Sequence, residues 1–170
     1  MSQNTKKPAS FAKWVVYSFM MLLLLVLQNT LALHISNICL ILPAVIILAL
    51  NDESDACIIL GGVFGLLWDI TAGSIFGYNA LLMILFAVTA QIIANNLIRV
   101  KLTTNLLTVL SFTAVYQLLT YLIFFLFWGK GGAWHMIFIA LFRALLSAAV
   151  TSTVLFFSLR ALGKKLNSPT

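Results

Sequence analysis

Two charged side chains, Asp69 and Arg143, fall deep inside the long apolar stretches of this 170-residue chain. An ionised group within a membrane-crossing segment is costly and usually faces a bundle interior or water, so each needs a partner. Counting about 1.5 Å per residue along a helix, Asp69 lies roughly 20 Å from Ala56, and Arg143 lies roughly 13 Å from Trp134. With those two ends on opposite sides of a bilayer the depths nearly match, and the expected arrangement is a buried ion pair. The same count places Gln28, Asn29, Tyr116 and Gln117 about 20 to 23 Å from the side that holds Ala56. A polar layer then crosses four segments. It could bind a small ligand, hold a fixed internal network or form part of a partner interface. The network is the default reading, because helices in lipid commonly join through side-chain hydrogen bonds.

Other chemistry is not expected. His34 and His135 fall near segment ends with no acid or thiol beside them, a poor basis for a metal site. No serine stands in a nucleophile-elbow pattern, and the glycines lack the lysine of a phosphate loop. Neither enzymatic activity, a metal nor a cofactor is expected.

Asp69 sits in the most informative stretch, Gly61 to Gly77, where glycine or aspartate recurs every fourth residue at Gly61, Gly65, Asp69, Gly73 and Gly77. At about 3.6 residues per turn the first three lie near one helix face. Small residues at Gly61 and Gly65 would let another helix backbone approach beside the carboxylate. Gly73 and Gly77 are expected in the exit turn, because glycine readily adopts positive φ.

The elements that must hold these groups are membrane helices. Hydrophobic residues make up 62% of the chain and charged residues 8%, against roughly 25% charged in a soluble domain. Six apolar runs are expected as helices, at Trp14 to Leu33, Ile35 to Leu50, Ala56 to Ala72, Tyr78 to Ile98, Leu102 to Trp128 and Trp134 to Leu162. The expected fold is therefore all-α, a single six-helix membrane domain over residues 14–162 with tails at 1–13 and 163–170. The second run is short and contains Pro43, which removes a backbone donor and tends to kink a helix. It could be re-entrant, but a full crossing keeps the charge pattern consistent. The first run exceeds the h-region of about 7 to 15 residues of a cleavable signal and lacks a small-x-small cleavage site. Cys39 and Cys57 fall at opposite ends of neighbouring helices, beyond the roughly 7 Å that a disulfide allows between Cα atoms.

Orientation follows from the bias of lysine and arginine toward cytoplasmic loops. With the N-terminus inside, Lys6, Lys7, Lys13, Arg99, Lys101, Arg160, Lys164 and Lys165 are cytoplasmic, and Lys130 alone is outside. Both termini are thus expected inside, and the acidic turn Asn51 to Asp55 with them, most simply as a solvated hairpin turn. The net charge of +6 is accounted for by topology and anionic lipid heads, so nucleic acid is not implied. Trp14 at one edge and Trp128 and Trp134 at the other fit interfacial aromatic belts.

The run Gly65-Leu66-Leu67-x-Asp69-x-x-x-Gly73-x-x-x-Gly77-x-x-Ala80-Leu81 resembles the glycine and aspartate signature of the MreD family of bacterial rod shape-determining membrane proteins. Size, short tails and segment spacing extend the resemblance in outline over nearly the whole chain, although the polar turn Ser36-Asn37 lacks the proline-containing approach of many members. The resemblance implies a non-enzymatic component of the elongation machinery in the cytoplasmic membrane. Such a component binds the bitopic protein MreC and cooperates with MreB, RodA and a class B penicillin-binding protein to direct peptidoglycan synthesis. The family's arrangement is similar to that of the substrate-binding S components of energy-coupling-factor vitamin transporters, which supplies the alternative function. That alternative would need several polar groups converging on one ligand. A channel or secondary transporter is disfavoured by the lack of an inverted repeat with paired broken helices.

Overall fold

The computed structural model describes residues 11–32, 38–51, 55–73, 75–96, 102–128 and 134–166. They form six helices: α1 (Phe11–Ala32), α2 (Ile41–Asn51), α3 (Ala56–Ala72), α4 (Tyr78–Asn96), α5 (Leu102–Trp128) and α6 (Trp134–Leu166). Among the described residues there is no strand. Four helices, α1, α4, α5 and α6, are long and apolar enough to cross a membrane, as expected of a membrane-embedded protein. The N-terminal tail to residue 10, His34, Ser36-Asn37, residues 52–54 of the acidic turn, Arg99, Lys101 and Lys130 lie outside the described residues.

Outward faces of these helices carry continuous apolar surface. Phe19, Leu22, Leu23 and Val26 are exposed along α1, and Phe138, Phe142, Leu146 and Val150 along α6. Exposed apolar surface on this scale is unusual for a water-soluble monomer and suits a hydrocarbon surround.

The departure from expectation is α2. It starts at Ile41 and not at Ile35, and Cys39 and Leu40 precede it as buried non-helical chain. Eleven residues span only about 16 Å, roughly half of a hydrocarbon core, so the helix is too short to cross by itself. Pro43 does not kink it. Pro43 is the third helical residue, within the first turn, where its missing N–H would have had no intrahelical partner. Every residue from Ile41 to Leu50 is buried, and α2 touches all the other helices. A helix apolar on all sides is a core element, and here the other helices wrap it. Two cysteine thiols mark its ends: Cys39 is buried just before it, and Cys57 Sγ lies 3.7 Å from the Leu48 carbonyl near its C-terminus. The last helix runs to Leu166, a turn beyond the expected Leu162.

A helix that begins in the middle of a bundle leaves backbone N–H groups needing acceptors. Gln28 of α1 supplies one: its Oε1 accepts from Leu40 N at 2.8 Å and from Ile41 N at 3.0 Å, and the residue is 2% exposed. Cys39 N donates to Ser147 Oγ of α6 at 3.3 Å. Gln28→Ala should therefore destabilise the folded chain by about 2 kcal/mol, since buried donors left without acceptors cost about 1 to 3 kcal/mol. Gln28→Glu, which keeps the acceptor, should lose less in the same thermal or denaturant unfolding series in lipid nanodiscs.

Candidate functional site: the joint between α3 and α4

Sequence dictates a tight reversal between α3 and α4. Gly73 ends α3 in the left-handed conformation, with φ 61° and ψ 29°, and its N–H bonds to the Asp69 carbonyl. Gly77, with φ 86°, precedes Tyr78. A side chain with a Cβ pays about 1 to 2 kcal/mol in such a conformation, and glycine does not. The turn brings the start of α4 back against the last turns of α3.

Closeness is set by Gly65. A Cβ placed there would lie 2.5 Å from Ala80 Cα, 2.8 Å from Ala80 N and 3.1 Å from the Asn79 carbonyl carbon. All three are backbone atoms of the first turn of α4, so the two helices touch with nothing between them. At Gly61 and Gly62 the atoms nearest an added Cβ belong to side chains, with Met83 backbone 3.7 Å or more from the one at Gly61. A Cβ would meet Val45 Cγ1 at 3.0 Å from Gly61, and Ile84 Cδ1 at 3.0 Å from Gly62.

One turn along α3 from Gly65, Asp69 is 2% exposed and aimed at the N-terminus of α4. Its Oδ1 accepts from Asn79 N at 3.2 Å and from Asn79 Nδ2 at 2.8 Å, and its Oδ2 accepts from Ala80 N at 3.4 Å. The first-turn donors of α4 are thereby satisfied in order: Tyr78 N bonds to Ile75 O, Asn79 N and Ala80 N to Asp69, and Leu81 N to Gly77 O. Asp69 is thus an N-cap supplied from a neighbouring helix, and the positive end of the α4 dipole favours a carboxylate there.

The network continues into α5. Tyr116 OH donates to Asn79 Oδ1 at 2.6 Å, and the Tyr116 ring stacks on Trp68 with centroids 5.9 Å apart. Thr120 Oγ1 donates to the Tyr116 carbonyl at 2.8 Å and lies 3.0 Å from Tyr78 OH. Three helices are joined by a chain of buried hydrogen bonds running from Asp69 through Asn79 to Tyr116.

The expected polar residues therefore separate. Asp69 and Tyr116 meet through Asn79, while Gln28 caps α2. Asn29 and Gln117 are half-buried and form no hydrogen bond with described residues. Arg143 is exposed on α6, and Asn79 and Ala80 of α4 donate to the Asp69 carboxylate. Depth along two helices could not reveal this, because equal depth says nothing about which faces meet. Asn79 was missed by sequence reasoning. The available signal was an amide two residues beyond Gly77, at the start of an apolar helix, where N-terminal backbone donors gather.

A cleft of about 620 Å³ opens beside this joint, where α1 and α3 end, and Gln28, Asn29, Thr30, Trp68 and Thr71 contribute to its wall. Among the described residues no three His, Cys, Asp or Glu side chains gather as a metal site would require. No protein-family model, curated protein or solved structure matches the chain.

Proposed function

We propose that this chain is a non-enzymatic, multi-pass component of the bacterial cell-elongation machinery. It lies in the cytoplasmic (inner) membrane with both termini inside and binds MreC. Together with MreB, RodA and a class B penicillin-binding protein it organises peptidoglycan synthesis and so determines rod shape.

The observation that carries this reading is that the glycine, aspartate and alanine positions of the stretch on which the resemblance to MreD rests, Gly65, Asp69, Gly73, Gly77 and Ala80, all belong to one joint, while its Leu66, Leu67 and Leu81 are exposed. Each has a structural reason for its type. Gly65 permits backbone contact, Asp69 caps α4, and the two positive-φ glycines make the turn. Residues chosen to shape a joint support a scaffold, and both Asp69 oxygens are engaged by α4. Such a bundle with exposed apolar helix faces suits a protein that holds partners within the bilayer.

Co-purification from native membrane with mass spectrometry tests the proposal. MreC and cell-wall synthases should be recovered with the chain, and its depletion should turn rods into rounded cells. Recovery of two ATPases and a vitamin would instead identify an S component. A reporter fusion should place the C-terminus inside, and an external C-terminus would refute the orientation.

A further inference from the structure

The cleft between the ends of α1 and α3 is unlike the joint beside it, because its polar groups are not all used. Gln28 is 2% exposed and its Oε1 is occupied by Leu40 N and Ile41 N, but its Nε2 donates to no described residue. Asn29, next to it on the same wall, makes no hydrogen bond with described residues at either end of its amide. Thr30 and Thr71 spend their hydroxyl hydrogens on the carbonyls of Val26 and Trp68, at 2.9 and 3.2 Å, which leaves their oxygens able to accept. Gln28, Asn29, Thr30 and Thr71 therefore line one opening of about 620 Å³. That volume lies within the range of about 300 to 1,000 Å³ typical of small-molecule sites.

We propose that this cleft binds a small uncharged molecule carrying an amide. The wall decides the class. Its described lining offers amides, hydroxyls and an indole, groups that pair with neutral donors and acceptors. Gln28 Nε2 requires an acceptor on the ligand and the threonine oxygens require a donor. One amide supplies both without net charge, and Asn29 pairs with it in either sense. The Trp68 indole and neighbouring alanines receive the apolar part. This site does not depend on the chain working with MreC.

The test uses the full chain in lipid nanodiscs, titrated with nicotinamide, with N-acetylglucosamine and with nicotinate, while unfolding temperature and tryptophan emission are followed. Nicotinate matches nicotinamide in ring and size but is anionic. A saturable rise in unfolding temperature with at least one of the two amides, and none with nicotinate at equal concentration, is expected, since a ligand that binds only the folded state stabilises it. Asn29→Ala, which breaks no described hydrogen bond, should fold normally and weaken that binding about tenfold, the effect of about 1.4 kcal/mol. Thr71→Val should weaken it in the same direction. The proposal is overturned if neither amide gives a saturable response, if nicotinate responds equally, or if both variants bind as the parent does.

Discussion

Replacing Gly65 by alanine should be the most damaging single-methyl change among the described glycines, lowering stability by about 3 kcal/mol or more. The added carbon would lie 2.5 Å from Ala80 Cα and 2.8 Å from Ala80 N, distances at which backbone and not a side chain must move. Overpacking alone costs about 1 to 3 kcal/mol. Pushing α4 outward would also stretch the bonds from Asn79 N and Ala80 N to Asp69, already 3.2 and 3.4 Å long. Gly61→Ala offers the control, because its added carbon meets Val45 Cγ1 at 3.0 Å. A side-chain methyl can give by a few tenths of an ångström, so that variant should lose well under half as much. Unfolding of the purified chains in nanodiscs measures both, and equal losses would show that backbone contact at Gly65 is not the constraint.

Asp69→Ala should cost about as much for a different reason. Asn79 N, Asn79 Nδ2 and Ala80 N would lose their acceptor in a buried site, at about 1 to 3 kcal/mol for each buried group before relaxation. About 3 kcal/mol in total is expected, together with fraying of the first turn of α4, visible as faster amide hydrogen exchange at Asn79 and Ala80. Asp69→Asn should lose roughly half as much, since its carbonyl oxygen can still accept from Asn79 while its NH2 meets donors. Arg143→Gln should change stability by no more than about 1 kcal/mol, because its site is exposed on α6. On the proposed function, loss of rod shape in cells should follow the same order, with Asp69→Ala worse than Asp69→Asn and Arg143→Gln mildest.

Most of the helix layout was legible in the sequence because apolar run length is a strong signal. The runs at Ala56 to Ala72 and Leu102 to Trp128 match α3 and α5 to the residue. What composition hid was the role of α2. An uncharged apolar run reads the same whether it is helical throughout or begins as non-helical chain leading into a short helix, and that non-helical start is held by Gln28, whose side chain accepts from Leu40 N and Ile41 N. The positions of Gly73 and Gly77 were readable from residue type, since few other residues tolerate positive φ. The partner of Asp69 was not. Charge complementarity pointed to Arg143, whereas a helix N-terminus presents partial positive charge through backbone N–H groups that no residue letter displays. Helix dipoles and interhelical caps are properties of an arrangement, and depth along isolated segments does not contain them.

The central claim is that Asp69 fastens α4 to α3 through Asn79, and a double-mutant cycle on Asp69→Ala and Asn79→Ala tests it most directly. Groups joined by a buried hydrogen bond couple by about 0.5 to 3 kcal/mol, whereas distant independent sites add within about 0.3 to 0.5 kcal/mol. The 2.8 Å contact between Asn79 Nδ2 and Asp69 Oδ1 leads to an expected coupling of at least about 1 kcal/mol in nanodisc unfolding. The matched cycle of Asp69→Ala with Arg143→Gln should give a clearly smaller coupling. Additivity between Asp69 and Asn79, or an equal or larger coupling to Arg143, would contradict the account.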